Sequence, residues 1–178
     1  MTRHIALLRA INLGASRRVP MADLRRLLEE LGYDGVRTHL QSGNVLFDAG
    51  EPADLLRERL EGQIGERFGF EVPVIVRTRE ELAEVVRADP FADVATDPRR
   101  YQVSFLAGEP EPAAIAAIAA VDIRPERFVQ IGREIYAWHP EGVQRSVLAR
   151  MLSGERLGVA ATARNWRTVT DLLALADA

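Results

Sequence analysis

The side chains best suited to chemistry in this sequence are carboxamides, guanidinium groups and one hydroxyl, gathered in three short runs. The first is Arg9-Ala10-Ile11-Asn12-Leu13-Gly14-Ala15-Ser16-Arg17-Arg18, and the second is Gln41-Ser42-Gly43-Asn44. The third is Thr162-Ala163-Arg164-Asn165-Trp166. Guanidinium and amide donors beside a backbone relaxed by Gly14 or Gly43 make a seat for phosphate or carboxylate. Pro20 opens a helix directly behind the first run, and the free N–H groups of a helix start favour an anion. The ligand-binding candidates are therefore Arg9, Asn12, Gly14 and Arg17 from the first run, Ser42, Gly43 and Asn44 from the second, and Arg164 and Asn165 from the third. Ser42 is the obvious nucleophile beside the loop, but spacing supplies no base for it, so no catalytic residue is assigned. A plainer reading fits the same residues: Ser-Gly makes a hairpin, Gly14 relaxes a loop, and the arginines are solvated.

Absences narrow the chemistry further. With no Cys, thiol catalysis and thiolate zinc sites are excluded. All 23 basic residues are Arg, which rules out a Lys Schiff base and a P-loop lysine. The three histidines, His4, His39 and His139, are too few for a multi-His centre, and Asp89, Asp93 and Asp97 are kept from one helix by Pro90 and Pro98. No metal site is expected, and no cofactor is named. His139-Pro140-Glu141 could hold an acid–base pair, although a strand-end turn explains it as well. A net charge of -3 argues against a general nucleic-acid coat. No secretory leader and no apolar run of membrane-spanning length is seen, so a cytoplasmic protein without a membrane partner is expected.

The elements that must position these runs follow from periodicity. Residues 5–11 read as a strand, and Leu24, Leu27, Leu28 and Leu31 give the next helix, opened by Pro20 at its first position, an apolar face. Residues 36–40 and 44–47 read as strands joined by a tight turn at Ser42-Gly43. A helix from Pro52 and a strand at 72–76 follow, which completes β-α-β-β-α-β, the ferredoxin-like unit. Its strand order puts the end of the first strand beside the start of the third, so Asn12 should meet Asn44. Thr78-Arg79-Glu80-Glu81 is a capping box opening a helix. The second half repeats the pattern with strands at 102–106, 128–131 and 135–138, helices at 113–120, 143–152 and 163–176, and no clear last strand. Thr162 is expected to cap the last helix, with Trp166 in the core. The expected class is α+β, an imperfect tandem of ferredoxin-like halves at 1–77 and 101–178, joined by a helix and connector at 78–100 into one compact unit. Whether Arg164 and Asn165 reach the Asn12 loop depends on how the halves dock.

The chain resembles the mostly bacterial family of unknown function DUF1697. The resemblance rests on Leu-Leu-Arg-Ala-Ile-Asn-Leu-Gly at 7–14, Val-Pro-Met-Ala-Asp-Leu-Arg at 19–25, Gln-Ser-Gly-Asn-Val-Leu-Phe at 41–47 and Thr-Ala-Arg-Asn-Trp-Arg-Thr-Val at 162–169. Where the family's loop commonly carries Gly-Gly and Lys, this chain has Gly14-Ala15-Ser16-Arg17-Arg18, a less free backbone. The resemblance implies an α+β fold with ferredoxin-like halves and implies no activity.

Three functional classes stay open on this reading. The first is a module binding a phosphorylated small molecule, a nucleotide or single-stranded RNA; for RNA, Tyr101, Phe105, Tyr136 and Trp138 are the strand aromatics on which bases could stack. The second is a small-molecule enzyme using positioned guanidinium, amide and hydroxyl groups. The third is a protein-interaction or structural module, including a homo-oligomer formed through sheet edges or faces.

Overall fold

The computed structural model describes residues 1–153 and 156–178. Its elements are β1 (Thr2–Leu8), α1 (Met21–Glu30), β2 (Asp34–His39), β3 (Asn44–Ala49), α2 (Ala53–Phe68), β4 (Val74–Thr78) and α3 (Arg79–Ala88). They continue as β5 (Tyr101–Leu106), α4 (Pro112–Ala119), β6 (Arg127–Ile131), β7 (Glu134–Trp138), α5 (Val147–Met151), β8 (Ala161–Asn165) and α6 (Trp166–Asp177). The fold is α+β, with two four-stranded sheets ordered β2-β3-β1-β4 and β6-β7-β5-β8. Every strand pair is antiparallel. The chain divides into two units, Met1–Ala83 with Leu172–Ala178, and Glu84–Asp171.

In the first unit β1 runs between β3 and β4, with Leu7 opposite both Asn44 and Ile75. Ala6, Leu8, Val45, Phe47, Val74 and Val76 share a core with Leu24, Leu27 and Leu28 of α1 and Leu56, Leu60 and Ile64 of α2. The leucine stripe of α1 is thus its buried face, as the i, i+3, i+4 spacing requires. Thr78 and Glu81 exchange hydrogen bonds of 2.8 and 3.1 Å at the start of α3, the expected capping box.

Two boundaries near the candidate site differ from the expected ones. β1 ends at Leu8 rather than at residue 11. The Leu8 N–H bonds the Gly43 carbonyl at 2.8 Å and the Arg9 N–H bonds the Pro73 carbonyl at 3.0 Å, after which the chain turns away at Ala10 with φ 53°. Pro20 is the N-cap of α1, with extended backbone, rather than its first helical residue. Gly43 takes the left-handed turn position with φ 88°, and a Cβ there would lie 2.6 Å from Ile11 Cδ1 and 2.9 Å from Leu8 Cβ. Gly43→Ala should therefore cost about 2 kcal/mol through backbone strain and overpacking, lowering the melting temperature by roughly 4–8 °C. A thermal melt unchanged to within about 1 °C would show that the turn yields without strain.

The second unit repeats the order around β5, which lies between β7 and β8. Leu106, Ile135, Ala137 and Ala161 of its sheet pack with Ile118 of α4 and Leu148 of α5. The expected closing helix over 163–176 is corrected here. Residues 161–165 form β8, paired with β5 from Leu106↔Ala161 to Gln102↔Asn165. Thr162 sits inside that strand, and the cap of α6 is Asn165, whose Oδ1 accepts the Thr168 N–H at 2.9 Å. The helix expected over 143–152 is shorter too. Ser146 is its N-cap, accepting the Ala149 N–H at 2.8 Å, and only Val147–Met151 is helical.

Candidate functional site

Among the described residues, four non-glycine positions hold left-handed backbone: Ala10, Asn12, Arg17 and Leu40, with φ of 53°, 54°, 54° and 61°. All four lie in the two loops that meet where β1 ends and β3 begins. Such backbone costs about 1–2 kcal/mol per residue and persists only where the surroundings over-determine it. Asn12 supplies most of that constraint. Its Nδ2 group donates to the Val19 carbonyl at 2.9 Å and to the Gln41 carbonyl at 2.8 Å. Its Oδ1 accepts the Val19 N–H at 2.9 Å, and its own N–H bonds the Arg17 carbonyl at 2.9 Å. One side chain closes its own loop and fastens that loop to the hairpin.

The other candidates in these loops also serve the frame. Arg17 donates from Nε to the Ala10 carbonyl at 2.8 Å and from Nη2 to the Glu71 carbonyl at 2.9 Å, with its guanidinium 5.0 Å above the Phe70 ring. Asn44 is fully buried, and its Nδ2 donates to the His39 carbonyl at 2.7 Å and to Ser42 Oγ at 3.1 Å. Gly14 has φ 72° and open space where a Cβ would stand. Arg9 is half-buried at the end of the central strand. The expected meeting of the first and third strands is present, and it brings Asn12, Arg17, Ser42, Gly43 and Asn44 together as a scaffold.

That scaffold borders a cleft of 530 Å³ lined by Asn12, Arg18, Pro20, Met21, Ala22 and Gln41. Arg18 makes one long hydrogen bond, 3.4 Å, to the Gly14 carbonyl and has no carboxylate partner among the described residues. α1 begins after its N-cap Pro20 with no side-chain cap, and its first two residues, Met21 and Ala22, line the cleft. Spacing could not separate Arg18 from its neighbour Arg17. The two differ in what the folded loop does with them: Arg17 is consumed by carbonyls, and Arg18 is left to the cleft.

The other clefts differ in how far their charged side chains are already paired. In one of 680 Å³, Arg3 is paired with Asp48 and Arg25 with Glu29, and Arg37 also lines the wall. One of 580 Å³ is lined by Glu58, Glu61 and Glu71, and Glu61 already accepts the Val74 N–H at 2.9 Å. A third, of 380 Å³, touches Glu126 and Ser146. Those two side chains meet His139, which is fully buried. Glu126 Oε1 and Ser146 Oγ both lie 2.9 Å from the same ring nitrogen, Nδ1, while Nε2 is buried without a partner. A nucleophile–base–acid relay needs the two partners on opposite ring nitrogens. Here the network assigns the proton to Nδ1, donated to Glu126, so His139 is no base toward Ser146. Burial pushes the Glu126 carboxyl up, but hydrogen bonds from Ser146, His139 and the Leu148 N–H outweigh it and hold the carboxyl below its ordinary range. The cluster is a structural cap for α5, and His139 pairs with Glu126 and not with Glu141, so the run 139–141 forms no acid–base pair of its own.

The third run lies in the second unit. Arg164 is 7% exposed on β8, donating to Thr162 Oγ1 at 2.8 Å and to the Ala163 carbonyl at 2.9 Å. Burial pushes its guanidinium down to about 10, so it is still a cation at neutral pH. Asn165 is occupied as the α6 cap. Trp166 is half-buried rather than core, stacked on Tyr101 with ring centroids 4.7 Å apart. Tyr101, Phe105, Tyr136 and Trp138 are all buried, so none offers a face to a base. Among the described residues no group of three or more His, Asp or Glu is placed to hold a metal ion, and no helix is long and apolar enough to cross a membrane.

A family model described as a protein of unknown function, DUF1697, matches residues 1–136. The chain belongs to this family. Within the DUF1697 match fall the motifs at 7–14, 19–25 and 41–47, which contain Asn12, Val19, Gln41, Gly43 and Asn44, whereas the motif at 162–169 lies beyond it. No curated protein matches the chain. A solved structure, the conserved bacterial protein SP0830 from Streptococcus pneumoniae, is similar over 98% of this chain and 98% of that one, with a TM-score of 0.74 and 22% sequence identity. At that identity the likeness concerns the fold alone.

Proposed function

We propose that this DUF1697 protein binds a small ligand through one phosphate or carboxylate group, in the cleft at the start of α1. The observation that carries this reading is Arg18, a guanidinium without a carboxylate partner, beside an uncapped helix start in a cleft whose walls Asn12 fastens. A planar guanidinium matches the geometry of an oxyanion, and the helix N–H groups add partial positive charge. Because the loops are already held by hydrogen bonds, little ordering cost opposes binding. One guanidinium suits a single anionic group; a nucleic-acid backbone needs a track of cations, and the net charge of -3 gives no such field. The repeated β-α-β-β-α-β order, with equivalent strand orders in both sheets, supports reading each half as a ferredoxin-like unit that presents such loops at its sheet edge.

Calorimetric titration with inorganic phosphate at low salt tests the reading. Arg18→Ala should weaken binding by about tenfold, equivalent to about 1.4 kcal/mol. As an exposed residue, its loss should leave the ligand-free melting temperature within about 1 °C of the parent. Equal phosphate affinity in the two proteins would overturn the proposal.

A further inference from the structure

Two exposed leucines, next in sequence to the cleft residues Asn12 and Gln41, are unexplained by the fold, and the inference they support rests on the anion-seat reading above. Leu13 is 68% exposed and Leu40 is 53% exposed. Each stands one residue from the 2.8 Å hydrogen bond between Asn12 Nδ2 and the Gln41 carbonyl that joins the two loops. Leu40 also holds left-handed backbone, φ 61°, a conformation that a bulky side chain rarely adopts. Neither residue belongs to the buried core. Met21, a third apolar side chain, lies in the cleft wall itself. Large apolar groups left in water on a strained, fastened loop pair break the local rules of folding together, in one place, and such coincidences gather at functional sites.

We infer that the ligand is amphiphilic: one phosphate monoester or carboxylate that meets Arg18, carried on an apolar or aromatic body that covers Leu13 and Leu40. The polar complement of the cleft, one guanidinium and the Gln41 carboxamide, matches a single anionic head and not a polyphosphate. The exposed leucines match what such a head is attached to, because covering apolar surface is the favourable term that an inorganic anion cannot supply. A polynucleotide would need further cations and stacking faces, and those aromatic faces are buried.

The test compares inorganic phosphate, phenyl phosphate, pentyl phosphate and a short oligonucleotide on the full chain, the Leu13→Ser/Leu40→Ser double variant and Arg18→Ala. Phenyl and pentyl phosphate should bind the parent at least about tenfold more tightly than inorganic phosphate, about 1.4 kcal/mol. That gain should vanish in the double variant while its affinity for inorganic phosphate is unchanged. Both leucines are exposed, so the double variant should melt with the parent. If inorganic phosphate binds through Arg18 but the organic esters gain nothing, or keep their gain in the double variant, the amphiphilic ligand is wrong and the anion seat stands. If phosphate affinity is indifferent to Arg18, both fail. Oligonucleotide binding tighter than phenyl phosphate, with a steep salt dependence, would overturn the small-ligand class in favour of RNA.

Discussion

Asn12→Ala is expected to destabilise the protein by about 3–4 kcal/mol and to lower its melting temperature by roughly 6–16 °C. The reason is the number of roles one carboxamide fills. Two donated bonds and one accepted bond disappear together, and each contributes about 0.5–1.5 kcal/mol net. The Val19 N–H, at a fully buried residue, also loses its acceptor, a loss costed as desolvation rather than as one exchanged bond. Alanine at φ 54° adds strain that asparagine tolerates better. Asn12→Gly separates these effects: it removes the bonds but not the backbone freedom, and should recover about 1 kcal/mol relative to alanine. Differential scanning calorimetry of both variants decides the matter. Melting within about 2 °C of the parent for both would mean that the loop pair is held by something other than Asn12. Phosphate affinity should fall in Asn12→Ala as well, because the walls of the cleft are no longer held.

Asn12 also shows where sequence reading stops. Its type, its place after an apolar strand and its meeting with the Gln41-Ser42-Gly43-Asn44 turn were all legible, because strand pairing in a β-α-β-β unit dictates which ends adjoin. Its role was not legible. A carboxamide beside a guanidinium looks the same in sequence whether it faces ligand or carbonyl, and the loop here turns its donors inward on Gln41 and Val19. Arg17 and Arg18 differ for the same reason. Arg17 is spent on the Ala10 and Glu71 carbonyls while its neighbour Arg18 lines the cleft, a difference that no spacing rule encodes.

β8 was hidden by a different mechanism. Ala161-Thr162-Ala163-Arg164-Asn165 contains residues of good or neutral helix propensity and precedes a real helix, so local preference carries the helix too far upstream. Pairing with β5 overrides that preference. Hydropathy gave no warning, because the polar Thr162 and Arg164 are buried and the apolar Ala163 is exposed. Asn165, three residues before Thr168, was the true capping signal, and Thr162 competed with it. The core of the first unit was easier, because its leucines at i, i+3 and i+4 can satisfy only one geometry.

Glu126→Ala should be the other costly change, about 3–5 kcal/mol or roughly 6–20 °C in melting temperature. Its carboxylate accepts from His139 Nδ1 at 2.9 Å, from the Leu148 N–H at 3.2 Å and from the Ser146 hydroxyl. His139, Leu148 and Ser146 are all buried, so their donors would be left without acceptors or water. Stability should also respond to pH in one direction. The folded carboxyl lies below its ordinary value of 4.5, so the carboxylate's contribution is fully present above the unfolded value and is lost as pH falls through the folded one. The stability difference between parent and Glu126→Ala, measured by urea unfolding, should then be constant from about pH 6 to 8 and should shrink below about pH 4.5. A difference that stays level or widens toward about pH 3 would mean that the ionised carboxylate is not what the network uses. Ser146→Ala makes the complementary point. Ser146 and Glu126 share one ring nitrogen and the other ring nitrogen is sealed in the interior, so the serine has no base to activate it. Its loss should therefore lower stability, through the missing α5 cap, and leave phosphate binding at the α1 cleft unchanged.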